Sequence, residues 1–172
     1  SGFIGAAVVR KLLENAVEVA VLQRDTACQP RLKMLEHQLT FIKTGCERDL
    51  PDVDLLRAWK PDTVFHLGWG GVGGSQRNET GIQIQNTETA VGLVQICAAI
   101  GVEHFVGAGS QAEYGPKNCA ITESDLPSPT TVYGATKLAT MHLTRCMCKL
   151  SGIGHTWIRV FSTYGPGDNP DW

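Results

Sequence analysis

Long hydrophobic runs, paired cysteines, internal repeats and blocks of like charge are all missing from this chain of 172 residues, and each absence removes a class of protein. The longest apolar stretches, such as that around 102–108, fall far short of the roughly 20 residues that a membrane-spanning helix needs, and no signal-peptide pattern opens the chain. A cytoplasmic protein with no membrane partner is therefore expected. Net charge is only −2 and the basic residues are scattered, so no electrostatic footprint for nucleic acid is present. The six cysteines, at 28, 46, 97, 119, 146 and 148, include no C-x-x-C pair of the kind zinc sites use. Cys146 and Cys148 stand two positions apart on an expected helix, where their side chains diverge, so no metal site is expected. Free thiols in a reducing compartment, Cys97 on an apolar helix face and Cys28 in a loop, are the better reading.

What is present is the composition of one folded domain, 42% hydrophobic and 19% charged, with a regular alternation of elements. Residues 3–15 read as an amphipathic helix with Ile4, Val8, Leu12 and Leu13 on one stripe, followed by a short buried strand at 17–22. A weak strand around Phe41 and Ile42, a short helix at 53–59, a strand at 63–67, a long helix at 81–100 and a strand at 105–108 continue the rhythm. A helix at 132–150 and a strand at 156–161 close it. Such alternation predicts an α/β fold with a mainly parallel sheet covered by helices, and sheets of this kind place ligands beyond the carboxyl ends of their strands.

The chemically informative stretch is Tyr133-Gly134-Ala135-Thr136-Lys137. On a helix, residues i and i+4 share a face, so the phenol and the ammonium converge on one small volume. A free tyrosine ionises near pH ~10, and a cation a few Å away favours the phenolate, which is what a general acid/base near neutral pH requires. Ser110, in Gly109-Ser110-Gln111-Ala112-Glu113-Tyr114-Gly115, supplies a hydroxyl to hold a substrate oxygen. Alone, Y-x-x-x-K also describes many solvated surface pairs. It gains weight from the segments that accompany it in fixed order: Ser1-Gly2-Phe3-Ile4-Gly5 opening a helix, and Thr63-Val64-Phe65-His66-Leu67 running into Gly68-Trp69-Gly70-Gly71.

With these motifs the chain resembles, essentially end to end, the extended short-chain dehydrogenase/reductase family, in particular the NAD(P)-dependent epimerase/dehydratase group acting on nucleotide sugars. The resemblance implies a Rossmann-like doubly wound parallel sheet lacking its first strand and its C-terminal substrate domain, with residues 1–172 as one NAD(P)-binding domain cut at both ends. In such a sheet the first strand lies between the second and the fourth, so its absence would leave two neighbours with unpaired backbone groups.

By resemblance Tyr133 is the acid/base, Lys137 binds the nicotinamide ribose and assists the phenol, and Ser110 hydrogen-bonds the reacting sugar oxygen. The implied cofactor contacts come from Gly2, Phe3, Ile4 and Gly5 at the pyrophosphate, where Gly2 permits close approach and Gly5 close helix packing. They continue with Gln23 and Arg24 at the end of the second strand, His66, Leu67 and Gly68 under the cofactor, Asn86 in the long helix, Tyr133, Lys137 and Phe161. His66 reads equally well as a core histidine, and Tyr114 as a packing aromatic. The residue about 21 positions after Gly2 decides between NAD and NADP. Gln23 in place of an acid, next to Arg24, leans toward NADP, with Asp25 keeping NAD open. The position where relatives place an adenine-side aspartate falls in Gly45-Cys46, and Asp49 is a potential substitute.

Family dehydratases place an aspartate and a glutamate just after the catalytic hydroxyl. Gln111 and Ala112 stand there, with Glu113 one position further on, where a strand-like extension would turn it to the opposite face. A dehydratase is thereby disfavoured. The G-S-Q-A-E-Y-G form, the Gln23-Arg24 pair and Ser162 in Phe161-Ser162-Thr163-Tyr164-Gly165-Pro166-Gly167 lean toward a 4-keto-sugar reductase, with a nucleotide-sugar 4-epimerase as the alternative and a non-catalytic cofactor-sensing protein as a third reading. The expected partner is a nucleotide sugar, and resemblance suggests a homodimer through helices 81–100 and 132–150.

Overall fold

The computed structural model describes residues 2–24, 30–44 and 50–168. Ser1, Asp25, Cys28, Gly45, Cys46, Asp49 and the stretch 169–172, all weighed above, lie outside the described residues. The chain divides into two compact units, one formed by 1–59 with 163–172 and the other by 60–162. The elements of the first unit are α1 (Phe3–Glu14), β1 (Val19–Arg24), β2 (Leu39–Thr44) and α2 (Val53–Trp59). Those of the second are β3 (Thr63–His66), α3 (Thr80–Ile100), β4 (His104–Ser110), α4 (Val132–Leu150) and β5 (Gly154–Val160). Every strand and helix expected from periodicity is present, with ends moved by no more than two residues.

The strands are all parallel, as alternation with helices demands, but the described strands form two sheets. β1 pairs with β2, and separately β3, β4 and β5 pair in that order. β1 and β3 share no ladder among the described residues.

In the first unit the core joins Ala6 and Val9 of α1, Val19 and Val21 of β1, and Leu32, with Leu12, Leu13, Leu35, Leu39 and Phe41 packed around them. Of the expected stripe of α1, Leu12 and Leu13 pack on this core, while at its amino-terminal end Ala6 and Val9 take the buried positions in place of Ile4. Ile4 is exposed while Gly5 and Ala6 are buried, because the two smallest side chains let the helix approach closely.

In the second unit one face of β3–β4–β5 is a ladder of rings. His66 lies 6.1 Å from Phe105, Phe105 stacks 6.0 Å from His155, and His155 stacks 6.2 Å from Trp157. Gly107 and Gly109 of β4 leave the space that the Trp157 indole fills; a Cβ at either would collide with it. α4 packs on β4 and β5, and α3 packs on α4, with the Thr87 and Thr140 hydroxyls 2.9 Å apart. Thr144, fully buried, is satisfied by donating to the Thr140 carbonyl at 2.8 Å and by the His155 ring 3.0 Å away.

Cys97 and Cys148 are buried, and burial, with Cys148 alongside, pushes the Cys97 thiol up to about 12, so it is inert as a nucleophile. Cys146 is exposed, as the divergence argument requires. No group of His, Cys, Asp and Glu among the described residues could hold a metal ion, and no described helix is long and apolar enough to cross a membrane.

Candidate active site

β4 runs further than expected, to Ser110 itself, and then closes a single 3₁₀ turn at Gln111–Glu113. Ser110 caps that turn: its hydroxyl oxygen accepts from the Ala112 amide at 3.2 Å, and its own amide donates to Glu113 Oε1 at 2.9 Å. This is a capping box, S-x-x-E, and it replaces the strand-like extension anticipated for Glu113. The Glu113 side chain is wholly buried. It accepts from Trp157 Nε1 at 3.0 Å and from Arg159 Nε at 2.7 Å. Arg159 Nη1 donates in turn to the Tyr114 hydroxyl at 3.0 Å. Three donors thus compensate one buried carboxylate, and the position of Ser110 is fixed from beneath.

α4 starts at the same end of the sheet. Thr131 caps it by accepting from the Gly134 amide at 3.0 Å, and Asn78 Oδ1 accepts from the Val132 amide at 3.1 Å. Gly134 is required here, since a Cβ would collide with the Ala112 carbonyl oxygen; the helix start is pressed directly against the turn after Ser110. Tyr133 and Lys137 follow one helical turn apart, both nearly buried at 9% and 4% exposure. Lys137 Nζ lies 5.9 Å from the Tyr133 ring centre, donates to the Ala108 carbonyl at 2.6 Å and sits 3.7 Å above the Trp69 ring. Trp69 meets the Tyr133 ring edge-on at 6.4 Å. Burial pulls the Lys137 ammonium down to about 7, against the opposing pull of the Glu113 carboxylate. The structure therefore brings Ser110, Tyr133 and Lys137 to one end of β4.

The loop after β3 forms the adjoining wall and is held by neutral amides from α3. Gln83, fully buried, accepts from Trp69 Nε1 at 2.8 Å and donates to the carbonyls of Gly71 at 2.8 Å and Gln76 at 3.1 Å. Asn86 clamps Gly70 from both sides, accepting from its amide at 2.8 Å and donating to its carbonyl at 2.9 Å. Asn86, expected near a cofactor, thus acts in this structure on the loop itself. Gly74–Asn78 forms a second 3₁₀ turn from which Arg77 stacks its guanidinium 4.7 Å over the Tyr133 ring. Sequence reasoning missed Gln83, Arg77 and the Glu113–Arg159 pair. Only the last had a visible signal, the S-x-x-E spacing.

Other expected contacts are placed as follows. His66 is buried among rings, 6.5 Å from Trp69 as well as beside Phe105, with Nε2 lacking a hydrogen-bond partner among the described residues. Desolvation, reinforced by Lys137, pulls its imidazole down to about 4, so it is neutral near pH 7. Leu67 is half-buried and Gly68 exposed, and a Cβ on Gly68 would meet nothing within 4 Å. Phe161 is 45% exposed, 6.2 Å from the Tyr114 ring.

In the first unit, Gly2 caps α1 with no side-chain hydrogen bond, Phe3 and Ile4 begin the helix, and Gly5 is buried. A Cβ on Gly2 would meet nothing within 4 Å, and the first turn holds no acidic residue. Bare amides, open space and the positive end of the helix suit a phosphate group. Gln23 and Arg24 close β1, in register with Lys43 and Thr44 of β2.

The model of the NAD dependent epimerase/dehydratase family matches residues 1–171. This chain belongs to that family. Among curated proteins it is 30% identical to an uncharacterized UDP-glucose epimerase of Bacillus subtilis, over 99% of this chain and 57% of the relative. It is 29% identical to UDP-glucuronate 4-epimerase 4 of Arabidopsis thaliana, over 99% of this chain and 42% of the relative. Among solved structures it resembles UDP-glucuronic acid 4-epimerase from Bacillus cereus in complex with NAD, with a TM-score of 0.83, 27% identity, and coverage of 99% of this chain and 57% of the other. It also resembles Thermus thermophilus UDP-glucose 4-epimerase in complex with NAD, with a TM-score of 0.84, 25% identity, and coverage of 98% and 55%. The chain thus spans little more than half the length of these proteins at most.

Proposed function

We propose that residues 1–172 are the dinucleotide-binding and proton-transfer part of an NAD-dependent nucleotide-sugar 4-epimerase. The observation that carries this reading is the convergence of Tyr133 and Lys137 beside Ser110, beyond the carboxyl end of β4. Several of the relatives are nucleotide-sugar 4-epimerases, which favours the epimerase over the 4-keto reductase that Gln23, Arg24 and Ser162 suggested. The neighbours' NAD likewise favours NAD over the NADP to which Arg24 leaned. Gly2, Phe3, Ile4 and Gly5 would hold the pyrophosphate, with Gln23 and Arg24 toward the ribose, and Lys137, Gly68, Leu67 and Phe161 toward the nicotinamide half.

Bound NAD supplies the hydride chemistry at the sugar carbon. The protein supplies proton handling and orientation. Tyr133 would act as the phenolate, taking the proton from the sugar hydroxyl as its carbon is oxidised, and as the resulting phenol return it when the carbon is reduced from the other face. Ser110 Oγ already accepts from Ala112, which leaves its O–H to donate to the same sugar oxygen. Gln111 has no ionisable group and Glu113 is consumed beneath the turn, so neither can remove the proton that dehydration requires.

The test uses the full-length protein with NAD and UDP-glucose or UDP-glucuronate. Epimerisation followed by chromatography, with no net NADH formed, is the expected outcome. Stoichiometric consumption of NADPH with a 4-keto sugar nucleotide would instead establish the reductase, and cofactor binding without turnover of any nucleotide sugar the sensing protein.

A further inference from the structure

The hydrogen bonds of Lys137 do not account for its place in the site. The residue is 4% exposed, so its ammonium has been taken almost wholly out of water. Among the described residues it donates to the Ala108 carbonyl at 2.6 Å, and no carboxylate there forms an ion pair with it. An ammonium has three donors and a strongly held water shell, and one carbonyl does not replace them. This shortage is why burial pulls Lys137 down to about 7. What remains to favour the charged form locally is the face of Trp69, 3.7 Å from Nζ. The electron-rich face of an indole attracts a cation, and does so more strongly when the cation is desolvated.

That ring is fixed from behind. Trp69 Nε1 donates to Gln83 Oε1 at 2.8 Å, and the Gln83 amide nitrogen is itself committed to the carbonyls of Gly71 and Gln76, so the wholly buried acceptor cannot turn away. Asn86 holds the next residue, Gly70, by both backbone groups. The same indole meets the Tyr133 ring nearly at right angles, 6.4 Å away, so one side chain touches both members of the proton-transfer pair. The other charged or titratable groups around Lys137 are His66 from β3, Glu113 from the turn after β4, and Arg77 across Tyr133. His66 is neutral near pH 7, Glu113 is bonded to Arg159 and Trp157, and Arg77 keeps its charge throughout. We propose that Trp69, anchored by Gln83, is a positioning residue of the pair, its indole face holding Lys137 as an ammonium beside Tyr133; this rests on the catalytic reading only for the reach of Lys137 toward the nicotinamide ribose.

The experiment is calorimetric titration of the full-length protein with NAD between about pH 6 and pH 10, beside the pH profile of kcat, in wild type, Trp69→Leu and Trp69→Phe. A charged donor bonds a ribose hydroxyl about twice as strongly as a neutral one, so NAD affinity should fall as rising pH takes the proton from Lys137. Leucine keeps the site dry but has no ring face, which favours the neutral amine. The fall should then begin about one pH unit lower, and the basic limb of kcat should move with it. Phenylalanine restores a ring face without the Gln83 anchor and should recover part of the shift. A role confined to packing would weaken NAD at every pH without moving the fall, and would overturn the proposal, as would equal shifts for leucine and phenylalanine or a wild-type affinity that does not change with pH. Should Trp69→Leu fail to fold, Gln83→Met cuts the anchor instead: the fall should move in the same direction by less, and an unmoved fall would overturn the proposal. A shifted fall without turnover of any nucleotide sugar would sustain this inference and sink the epimerase reading; epimerisation with an unmoved fall would do the reverse.

Discussion

Two connections leave neighbouring strands of the second unit and are secured in opposite ways. The turn after β4 rests on a buried charge: Glu113 gathers donors from the turn itself, from Trp157 and from Arg159. The loop after β3 rests on neutral amides, with Gln83 and Asn86 reaching from α3 to Trp69, Gly70, Gly71 and Gln76. A charge-assisted network concentrates its energy in one residue, whereas amide bonds spread theirs over several. The turn presents Ser110, which must not move, and the loop presents Trp69 and Arg77.

The largest test of that contrast is Glu113→Ala. Removing the carboxylate strands Arg159, leaves Trp157 Nε1 unpaired and frees the Ser110 amide, so a loss of about 3–5 kcal/mol is expected in denaturant unfolding. Gln83→Ala removes three neutral bonds and should cost about 1–3 kcal/mol, with Asn86→Ala near the lower end of that range. Equal costs for Glu113 and Gln83 would erase the distinction between the two connections.

A third perturbation acts through pH at the end of β3. His66 has a folded-state pKa of about 4 against the ordinary 6.5, so between these values the unfolded chain binds more protons than the native one. Its contribution is intact above pH 6.5 and is lost as pH falls toward 4, on the order of 3 kcal/mol at most. Subtracting the stability profile of His66→Leu from that of wild type should isolate this slope. A flat difference between pH 6.5 and 4 would mean that His66 is hydrated.

Much of this arrangement was legible in the sequence because it depends on local pattern. Periods of 3.6 and 2 located α1 to α4 and β1 to β5, and the i, i+4 spacing of Tyr133 and Lys137 put both on one side of α4. Leu12 and Leu13 of the expected α1 stripe do pack on the core, but Ile4 does not: hydrophobicity favoured it, whereas Gly5, Ala6 and Val9 are the buried residues of that helix. The turn after Ser110 was taken for strand although S-x-x-E is itself a capping signal. Arg77 and Gln83 had no local signal. Their roles arise from contacts with Tyr133 and Trp69 across more than ten residues of chain, and nothing in Gly73-Gly74-Ser75-Gln76-Arg77 distinguishes a stacked guanidinium from a solvated one.

Turnover by Tyr133→Phe in the full-length protein, measured beside its affinity for NAD, tests the central claim most directly, because the change removes one oxygen and leaves the ring contacts with Trp69 and Arg77. The account predicts a fall in kcat of about 10²–10⁴-fold with cofactor affinity largely kept. Wild-type turnover in that variant would contradict it.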